Sequence, residues 1–398
     1  MTDDAPPPSP DAPDTVPPAL KELRNAIDDV DHAIIDLLAQ RSALVGQVAD
    51  VKRTVGRGIR DHTRERALLA DRSERAASSE LRPDVIESLF RVILWASRDR
   101  QAALGVERPP DGPARTVAVI GAAGGLGQLL VRVFGELDQT VLAVDLETAL
   151  RPAEAAAQAD VVIVSVPIDA TEAVIREIGP HMRRGAVLAD VTSVKTGPVT
   201  AMLEATAPAD VSVVGTHPLF GPSVHSLQGQ RVVLCPARQA PAAATDWAEW
   251  FDAMFRSRGM QVLRTSPEHH DRMMGVVQVL THHAAEVLGL TLARLDVDVD
   301  ETLAFTSPVY LMELMMAARH FAQSPRLYGS IQRSNPRTLE TTAAFRRAAA
   351  DLAGVVESRD VAAFDALFAE AAEAFGGFRD RALETSSFLI DRLVEREG

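Results

Sequence analysis

The chain has 398 residues, an apolar fraction of 46% and a formal net charge of -14 at pH 7. This length allows two or three domains with ordinary hydrophobic cores. The acidic charge argues against nucleic acid and anionic membranes as partners, so we expect a small-molecule partner. The single cysteine, Cys235, leaves no intramolecular disulfide and no cysteine-based metal site.

Residues 1–18 are acidic and rich in proline, without the positive start and apolar segment of a secretory signal. We expect them to form a disordered tail. No apolar run approaches the roughly 20 residues needed to span a bilayer. We therefore expect a cytoplasmic protein.

The first block, residues 19–105, has helical apolar spacing throughout. Apolar residues recur at steps of three and four over residues 20–54, which predicts one long helix. Two shorter helices are predicted at about 61–75 and 83–104. A helix of about 35 residues is roughly 52 Å long, more than one small domain can cover.

Basic residues along this long helix predict an anion site. Lys52 follows Arg41 by eleven residues, about 20° from a whole number of turns, so both side chains project from one face. Arg24 lies seventeen residues before Arg41, about 25 Å away along the axis. We expect a two-fold dimer with interleaved helices to deliver Arg24 from the partner chain.

The run 23–101 resembles the helical chorismate mutase family. The resemblance implies that Arg24 of the partner chain, Arg41 and Arg64 hold the two carboxylates of chorismate. It also implies that Lys52 and Gln101 donate to the ether oxygen and that Glu65 takes the ring hydroxyl. Asp61 and Ser97 would complete the pocket.

The chemistry of that reaction suits these residue types. A pericyclic rearrangement needs neither a nucleophile nor a proton transfer. It needs a dianion held in a compact chair, and a donor where negative charge grows on the breaking C–O bond. A lysine provides such a donor as a point charge on a flexible stem.

The pattern changes after residues 106–114, a linker rich in proline and glycine. In the second block, residues 115–266, short apolar strands alternate with helices. Strands are predicted at 116–120, 140–144, 160–166, 186–189 and 211–214, with a helix at 128–134. This alternation predicts a parallel, doubly wound sheet of the Rossmann type.

A glycine-rich turn between the first strand and its helix predicts a dinucleotide site. The turn carries Gly121, Gly124 and Gly127, and Asp145 follows the next strand. A glycine is usual where Ala122 stands. We expect Asp145 to accept hydrogen bonds from the adenosine ribose and to repel a 2′-phosphate, which favours NAD over NADP.

Polar residues follow three further predicted strands, where open parallel sheets bind their ligands. Ser165 ends one strand, the run DVTSVK (190–195) a second, and THPLFGP (216–222) a third. His217 stands after an apolar strand and beside glycine and proline, which favours a catalytic role.

The last block, residues 267–398, is helical and ends in two amphipathic segments, 339–358 and 361–396. With SPVYLMELMMAARHFAQ in this block, about 280 residues resemble the prephenate dehydrogenase family. The resemblance implies that His217 binds the C4 hydroxyl of prephenate and accepts its proton while hydride leaves to NAD. It assigns Ser193 to the same hydroxyl, Arg319 to a substrate carboxylate, and Ser165 and Lys195 to the cofactor at the mouth of the nucleotide site.

The sequence departs from this pattern in two places. Leu311 replaces an arginine after the tyrosine of the SPxY segment, and Ser223 stands where an acidic residue is common. His282 also matches a position near the site. The adjacent pairs His269/His270 and His282/His283 point about 100° apart on a helix, so we expect no metal.

Together the blocks resemble the bifunctional chorismate mutase/prephenate dehydrogenase family. That family implies a homodimer, NAD, the substrates chorismate and prephenate, and tyrosine as a possible feedback inhibitor. We expect an all-α mutase domain forming an intertwined helical dimer, an α/β Rossmann NAD domain and an all-α C-terminal dimerisation domain. Two alternatives stay open, namely arogenate as the oxidised substrate and a non-catalytic N-terminal module for dimerisation or regulation.

Overall fold

The computed structural model describes residues 17–55, 57–104, 113–224 and 226–397. The predicted tail lies outside the described residues except for its last two, and so does the linker except for 113–114. The described chain divides into two compact units. Unit 1 is mainly the N-terminal helices, with Ser226–Gln228 and Arg256–Gly259, and unit 2 holds the sheet and the C-terminal helices.

Unit 1 contains three helices, as the sequence predicts. They are α1 Pro18–Val55, α2 His62–Ala77 and α3 Pro83–Ala103. Gly46 does not interrupt α1, which continues as one helix from Pro18 to Val55. Helix α2 begins behind a capping carboxylate, Asp61, and α3 begins with Pro83, whose missing N–H costs nothing at a first helical position.

The first part of unit 2 alternates strands and helices. In chain order these are β1 Thr116–Ile120, α4 Gly125–Glu136, β2 Thr140–Val144, α5 Pro152–Gln158, β3 Val161–Val164, α6 Ile168–Ile178, β4 Val187–Asp190, α7 Thr196–Ala205, β5 Ser212–Pro218, β6 Arg231–Arg238, α8 Trp247–Ser257 and β7 Gln261–Arg264. The strands form one sheet in the order β2-β1-β3-β4-β5-β6-β7.

Strands β1 to β5 are parallel, as predicted. Strand order reverses at β1, which has β2 on one side and β3 on the other. This reversal opens a crevice at the carboxyl ends of the strands, the usual ligand position of such sheets. The sheet continues beyond the five predicted strands with β6. This strand pairs antiparallel with β5, because a loop rather than a crossover helix joins the two strands.

The rest of unit 2 is helical. It contains α9 Pro267–Met274, a π-helical stretch Gly275–Leu280, α10 Thr281–Arg294, α11 Val299–Ala304, α12 Pro308–Phe321, α13 Pro325–Ser334, α14 Thr338–Ser358, α15 Val361–Phe375 and α16 Phe378–Glu397. The predicted second amphipathic segment was wrong as one helix. It is broken into α15 and α16 at Gly376, which adopts a φ of 49°.

One helical stretch, Pro267–Arg294, is long and apolar enough to span a membrane by length and composition. The expectation that the sequence contains no such run was therefore wrong. One helix of this kind is weak evidence for a membrane span. This one also contains His270 and Asp271, which are buried and hydrogen-bonded to residues of the sheet region.

Two candidate active sites

The mutase site predicted in unit 1 begins with a contact between α1 and α3. Arg41 Nη1 donates to Ser97 Oγ at 2.5 Å, and Gln101 Nε2 donates to the Ser97 carbonyl at 3.2 Å. Burial and, after it, the charge of Arg72 lower the pKa of Arg41 from its usual value. A guanidinium held near a second cation is favourably placed to receive an anion.

Lys52 lies at the far end of α1. Its Nζ donates to the Ile59 carbonyl at 2.5 Å, across the turn between α1 and α2. Ile59 is buried with Ala49 and Ala102 in a small apolar cluster. This cluster anchors the turn, so the position of the lysine is fixed by packing as well as by its hydrogen bond.

The start of α2 holds the acidic residues of the predicted site. Asp61 caps the helix by accepting from the Arg64 backbone N–H at 2.9 Å. Glu65 accepts from Arg98 at 2.7 Å and lies 3.4 Å from Arg60. The sequence reading missed both arginines, because no motif marks them as partners of Glu65.

The predicted mutase residues therefore fall into two groups. Ser97 is hydrogen-bonded to both Arg41 and Gln101. Lys52 and Glu65 lie on either side of the α1–α2 turn and are held by Ile59 and Arg98 respectively. Arg24 is exposed near the start of α1. Within a single chain, a 38-residue straight helix keeps it well away from Arg41.

In unit 2 the glycine-rich turn has the close packing that a dinucleotide site requires. Gly121 adopts a φ of 92°, and a Cβ there would lie 2.4 Å from the Ser165 carbonyl oxygen. A Cβ at Gly127 would lie 2.1 Å from the Gly121 carbonyl oxygen. Neither position can carry a larger side chain without moving the backbone.

Ala122 does not disturb this turn. Its backbone N–H donates to the Val144 carbonyl at 3.1 Å, beside the 2.8 Å bond from Gly121. The carboxylate of Asp145 accepts from the Ala123 N–H at 2.8 Å, so it lies at the turn as predicted. Helix α4 begins at Gly125, and its N-terminal N–H groups are available to a pyrophosphate. These residues fit NAD.

Lys195, which the sequence predicts at the mouth of the nucleotide site, is enclosed where β4 and β5 end. Its side chain is fully buried and forms an ion pair with Asp190. Its Nζ also donates to the Thr216 carbonyl at 2.7 Å. Charge on a lysine can be buried when a carboxylate and further acceptors surround it, and here the ion pair joins the ends of β4 and β5.

His217 lies in β5 and is 3% exposed. Its Nδ1 is 2.8 Å from His270 Nε2, and His270 Nδ1 is 2.8 Å from Asp271 Oδ1. Burial, and then the nearby His270 and Lys195, hold the pKa of His217 well below its usual value. The imidazole is therefore neutral at pH 7 and can accept a proton. Ser193 lies half-buried in the loop after β4.

The other predicted residues lie on the C-terminal helices and the β5–β6 loop. Arg319 is exposed on α12, and no hydrogen bond among the described residues joins it to His217. Leu311 is half-buried at the start of α12, and Ser223 is exposed. His282 packs against Tyr328 with ring centroids 4.6 Å apart, and burial lowers its pKa to about 4.

Comparison with known proteins identifies relatives of both halves of the chain. Three family descriptions match: chorismate mutase type II over residues 23–102, the nucleotide-binding domain of prephenate dehydrogenase over 138–259, and the prephenate dehydrogenase dimerization domain over 266–370. A T-protein of Enterobacter agglomerans is 35% identical over 372 residues, covering 93% of this chain and 97% of the relative.

Two further proteins match the dehydrogenase part. A probable arogenate/prephenate dehydrogenase of Methanocaldococcus jannaschii is 37% identical over 307 residues, covering 71% of this chain and 68% of its own. The crystal structure of A. aeolicus prephenate dehydrogenase with hydroxyphenyl propionate and NAD+ superimposes with a TM-score of 0.53. It is 18% identical and covers 69% of this chain and 99% of that one, which shows the shared fold.

The fold and the two sites define a chorismate mutase joined to an NAD-dependent prephenate dehydrogenase, acting in tyrosine biosynthesis. The chain belongs to the T-protein family. The predicted bifunctional enzyme and the three-part fold class are thereby confirmed. The matched dimerization domain indicates a homodimer.

Proposed function

We propose that the mutase site works by electrostatic positioning alone. Arg41 and Arg64, with Arg24 from the partner chain, bind the two carboxylates of chorismate. Lys52 and Gln101 donate to the ether oxygen as negative charge develops there, and Glu65 accepts from the ring hydroxyl. Ser97 orients Arg41 through the hydrogen bond between them.

Asp61 has a supporting part in this proposal. Its carboxylate caps α2, so it fixes the start of the helix that carries Arg64 and Glu65. Arg98 holds Glu65 in place through a charge-assisted hydrogen bond of 2.7 Å. Arg41, Lys52, Gln101 and Glu65 therefore each have a neighbour that limits their rotation.

In the dehydrogenase site, we propose that His217 is the general base. It accepts the proton of the C4 hydroxyl of prephenate, and Ser193 orients the same hydroxyl. NAD, when bound, accepts the hydride from C4, and loss of carbon dioxide makes the ring aromatic. Arg319 binds a substrate carboxylate, because a guanidinium fork suits a carboxylate.

The cofactor residues follow from the glycine turn. Gly121, Gly124 and Gly127 let the backbone approach the pyrophosphate, and Ser165 closes the turn from β3. Asp145 accepts from the adenosine ribose and disfavours NADP. Lys195 supports the site by joining β4 to β5 through Asp190 and Thr216.

The observation that carries this proposal is the buried, neutral His217 at the carboxyl end of β5. A base with a lowered pKa stays unprotonated at neutral pH. The position also matches the ligand edge of a doubly wound sheet. Burial lowers the pKa of any histidine, so the position at the ligand edge is the feature that distinguishes His217 from a histidine that only fills the core.

Prephenate rather than arogenate is the proposed substrate of this site. Two T-proteins each match more than 90% of this chain, whereas the name of the relative that matches 71% of it includes both substrates. Leu311 and Ser223 differ from the family pattern at positions that affect side-chain recognition. NADH formation with each of the two substrates distinguishes the alternatives.

The remaining assignments concern the whole chain. We propose domain boundaries at 19–105, 115–266 and 267–398. The first two enclose their matched family regions, and the third begins one residue after the start of its matched region at 266. Tyrosine is the proposed feedback inhibitor, and the cytoplasm the proposed location. Inhibition is tested by adding tyrosine to the dehydrogenase assay.

The experiment for the proposed function is one incubation of the chain with chorismate and NAD. Prephenate, NADH and 4-hydroxyphenylpyruvate are assayed together. We expect prephenate to appear first, followed by equal amounts of NADH and hydroxyphenylpyruvate. Formation of NADH from arogenate but not from prephenate would favour the alternative substrate.

A further inference from the structure

A chain of three buried side chains continues from the proposed base into the C-terminal helices. His217 Nδ1 lies 2.8 Å from His270 Nε2, and His270 Nδ1 lies 2.8 Å from Asp271 Oδ1. His270 and Asp271 are 2% and 1% exposed. Water therefore cannot replace either partner, and each hydrogen bond must be made within the protein.

The last member of the chain is firmly held. Asp271 Oδ1 accepts from the Lys195 backbone N–H at 2.7 Å, and Oδ2 accepts from the Thr196 backbone N–H at 2.8 Å. Asn335 donates to the Asp271 carbonyl at 3.0 Å. Three donors, counting His270, hold the carboxylate, and Asn335 holds the main chain, so the carboxylate cannot turn away from the histidine.

The hydrogen-bond directions follow from the chemistry of the carboxylate. Burial raises the pKa of Asp271, but the bonds from His270, Thr196 and Lys195 outweigh it and lower the pKa overall. An ionised carboxylate can only accept, so His270 carries its proton on Nδ1. His270 Nε2 is then an acceptor, and His217 must donate to it from Nδ1.

We propose that His270 and Asp271 are positioning residues that hold His217 in the tautomer with a bare Nε2. This inference rests on the proposed role of His217 as the base. A neutral imidazole has one basic nitrogen, and only the tautomer protonated at Nδ1 presents Nε2 to the substrate hydroxyl. The same chain stabilises the imidazolium that forms when His217 accepts the proton.

The charged groups around these three side chains are compatible with the proposed tautomer of His217. Lys195 lies close enough to lower the pKa of both histidines, and its own charge is paired with Asp190. Burial is the main cause of the lowered pKa of His270, with the Asp271 hydrogen bond opposing it. Both rings are therefore neutral before reaction, as the hydrogen bonds from His217 to His270 and from His270 to Asp271 require.

The proposal is tested with two substitutions of His270. Glutamine can donate to Asp271 through its amide nitrogen and accept from His217 through its amide oxygen, so His270→Gln preserves both directions. Leucine preserves bulk but removes both polar groups. We expect His270→Leu to lower kcat for prephenate by about 10²-fold or more, and His270→Gln by less than about 10-fold.

The readouts separate positioning from loss of structure. KM for prephenate should stay within about 3-fold in both variants, because neither substitution removes a proposed substrate contact. Chorismate mutase activity of the same chain provides a folding control. With 15N-labelled histidine, NMR should show His217 protonated at Nδ1 in the native protein and in His270→Gln, and a tautomer mixture in His270→Leu.

Two results would overturn the proposal. One is a native His217 that carries its proton on Nε2, which can be measured even if His270→Leu fails to fold. The other is a folded His270→Leu variant whose kcat stays within about 3-fold of the native value. A parallel His217→Ala variant that keeps full dehydrogenase activity would instead contradict the base assignment itself.

Discussion

The three lysines of the chain occupy three different environments. Lys21 is exposed at the start of α1, Lys52 is half-buried beside the α1–α2 turn, and Lys195 is fully buried in an ion pair. The other 38 of 41 basic residues are arginine, so Lys→Arg is the natural substitution with which to test a lysine.

Lys52→Arg should lower mutase activity almost as much as Lys52→Ala, by about 10²-fold or more. The guanidinium is larger than an ammonium and its charge is spread over a plane, so it cannot place a point charge at the breaking ether bond. Lys21→Arg is the matched control and should leave the rate unchanged. Mutase turnover is followed by chorismate loss, and a fully active Lys52→Arg variant would refute the assignment.

Lys195→Met should lower the free energy of unfolding of unit 2 by about 3–5 kcal/mol, because Asp190 would be left charged and buried without its partner. The double variant Lys195→Met/Asp190→Leu should recover part of this loss. Urea unfolding followed by tryptophan fluorescence measures both. If Lys195→Met changed only the affinity for NAD, a direct cofactor contact would be supported instead.

At this scale the sequence predicted His217 as the base but did not predict the partners of its ring. His217 follows an apolar strand and matches a family motif, so it was predicted. His270 is 53 positions away and was considered only as half of an adjacent histidine pair. Contact between the two depends on packing α9 against the sheet, which no local pattern encodes.

At the scale of elements, continuous periodicity was the most reliable signal. Helix α1 was predicted as one piece because neither proline nor a pair of glycines interrupts it, and it is one piece. The break between α15 and α16 was missed because Phe375 and Phe378 keep the apolar pattern across the two glycines. The sequence does not indicate that β6 is antiparallel, because a strand's direction depends on its neighbours.

Three histidines buried between elements, His217, His270 and His282, should make the free energy of unfolding depend on pH. Burial lowers the pKa of all three, that of His282 to about 4. Between these values and about 6.5, the unfolded chain binds more protons than the folded one. Stability is therefore fully present above about pH 6.5 and is lost as the pH falls toward 4.

The pH dependence can be assigned to one residue. His282→Gln cannot be protonated in this range, so its urea midpoint should fall less between pH 7 and pH 4.5 than that of the native chain. Circular dichroism measures both midpoints. His32→Gln is a surface control and should behave like the native chain. Identical pH slopes for His282→Gln and the native chain would exclude a contribution from His282.

At the scale of the whole molecule, large apolar faces remain exposed on a single chain. Ile27, Val30 and Ile34 on α1 are 59%, 58% and 49% exposed, and Phe368 and Phe375 on α15 are 68% and 62% exposed. Faces of this size mark association surfaces. They agree with the dimerization domain matched over residues 266–370 and with the proposed mutase dimer.

The interleaved mutase dimer predicts complementation between two inactive variants. If Arg24 acts in the partner's site, a dimer of Arg24→Ala and Arg41→Ala chains contains one doubly altered site and one intact site. Equal mixing after unfolding should restore about a quarter of native mutase activity, since half of the dimers are mixed. No recovery in mixed dimers would place Arg24 in the site of its own chain.

The central claim is that one chain carries two separate active sites, and a variant matrix tests it most directly. Native, Lys52→Ala and His217→Ala chains are each incubated with NAD and either chorismate or prephenate. We predict that Lys52→Ala forms NADH from prephenate only, and that His217→Ala converts chorismate to prephenate and stops there. NADH formation from chorismate at the native rate by either variant would contradict the account.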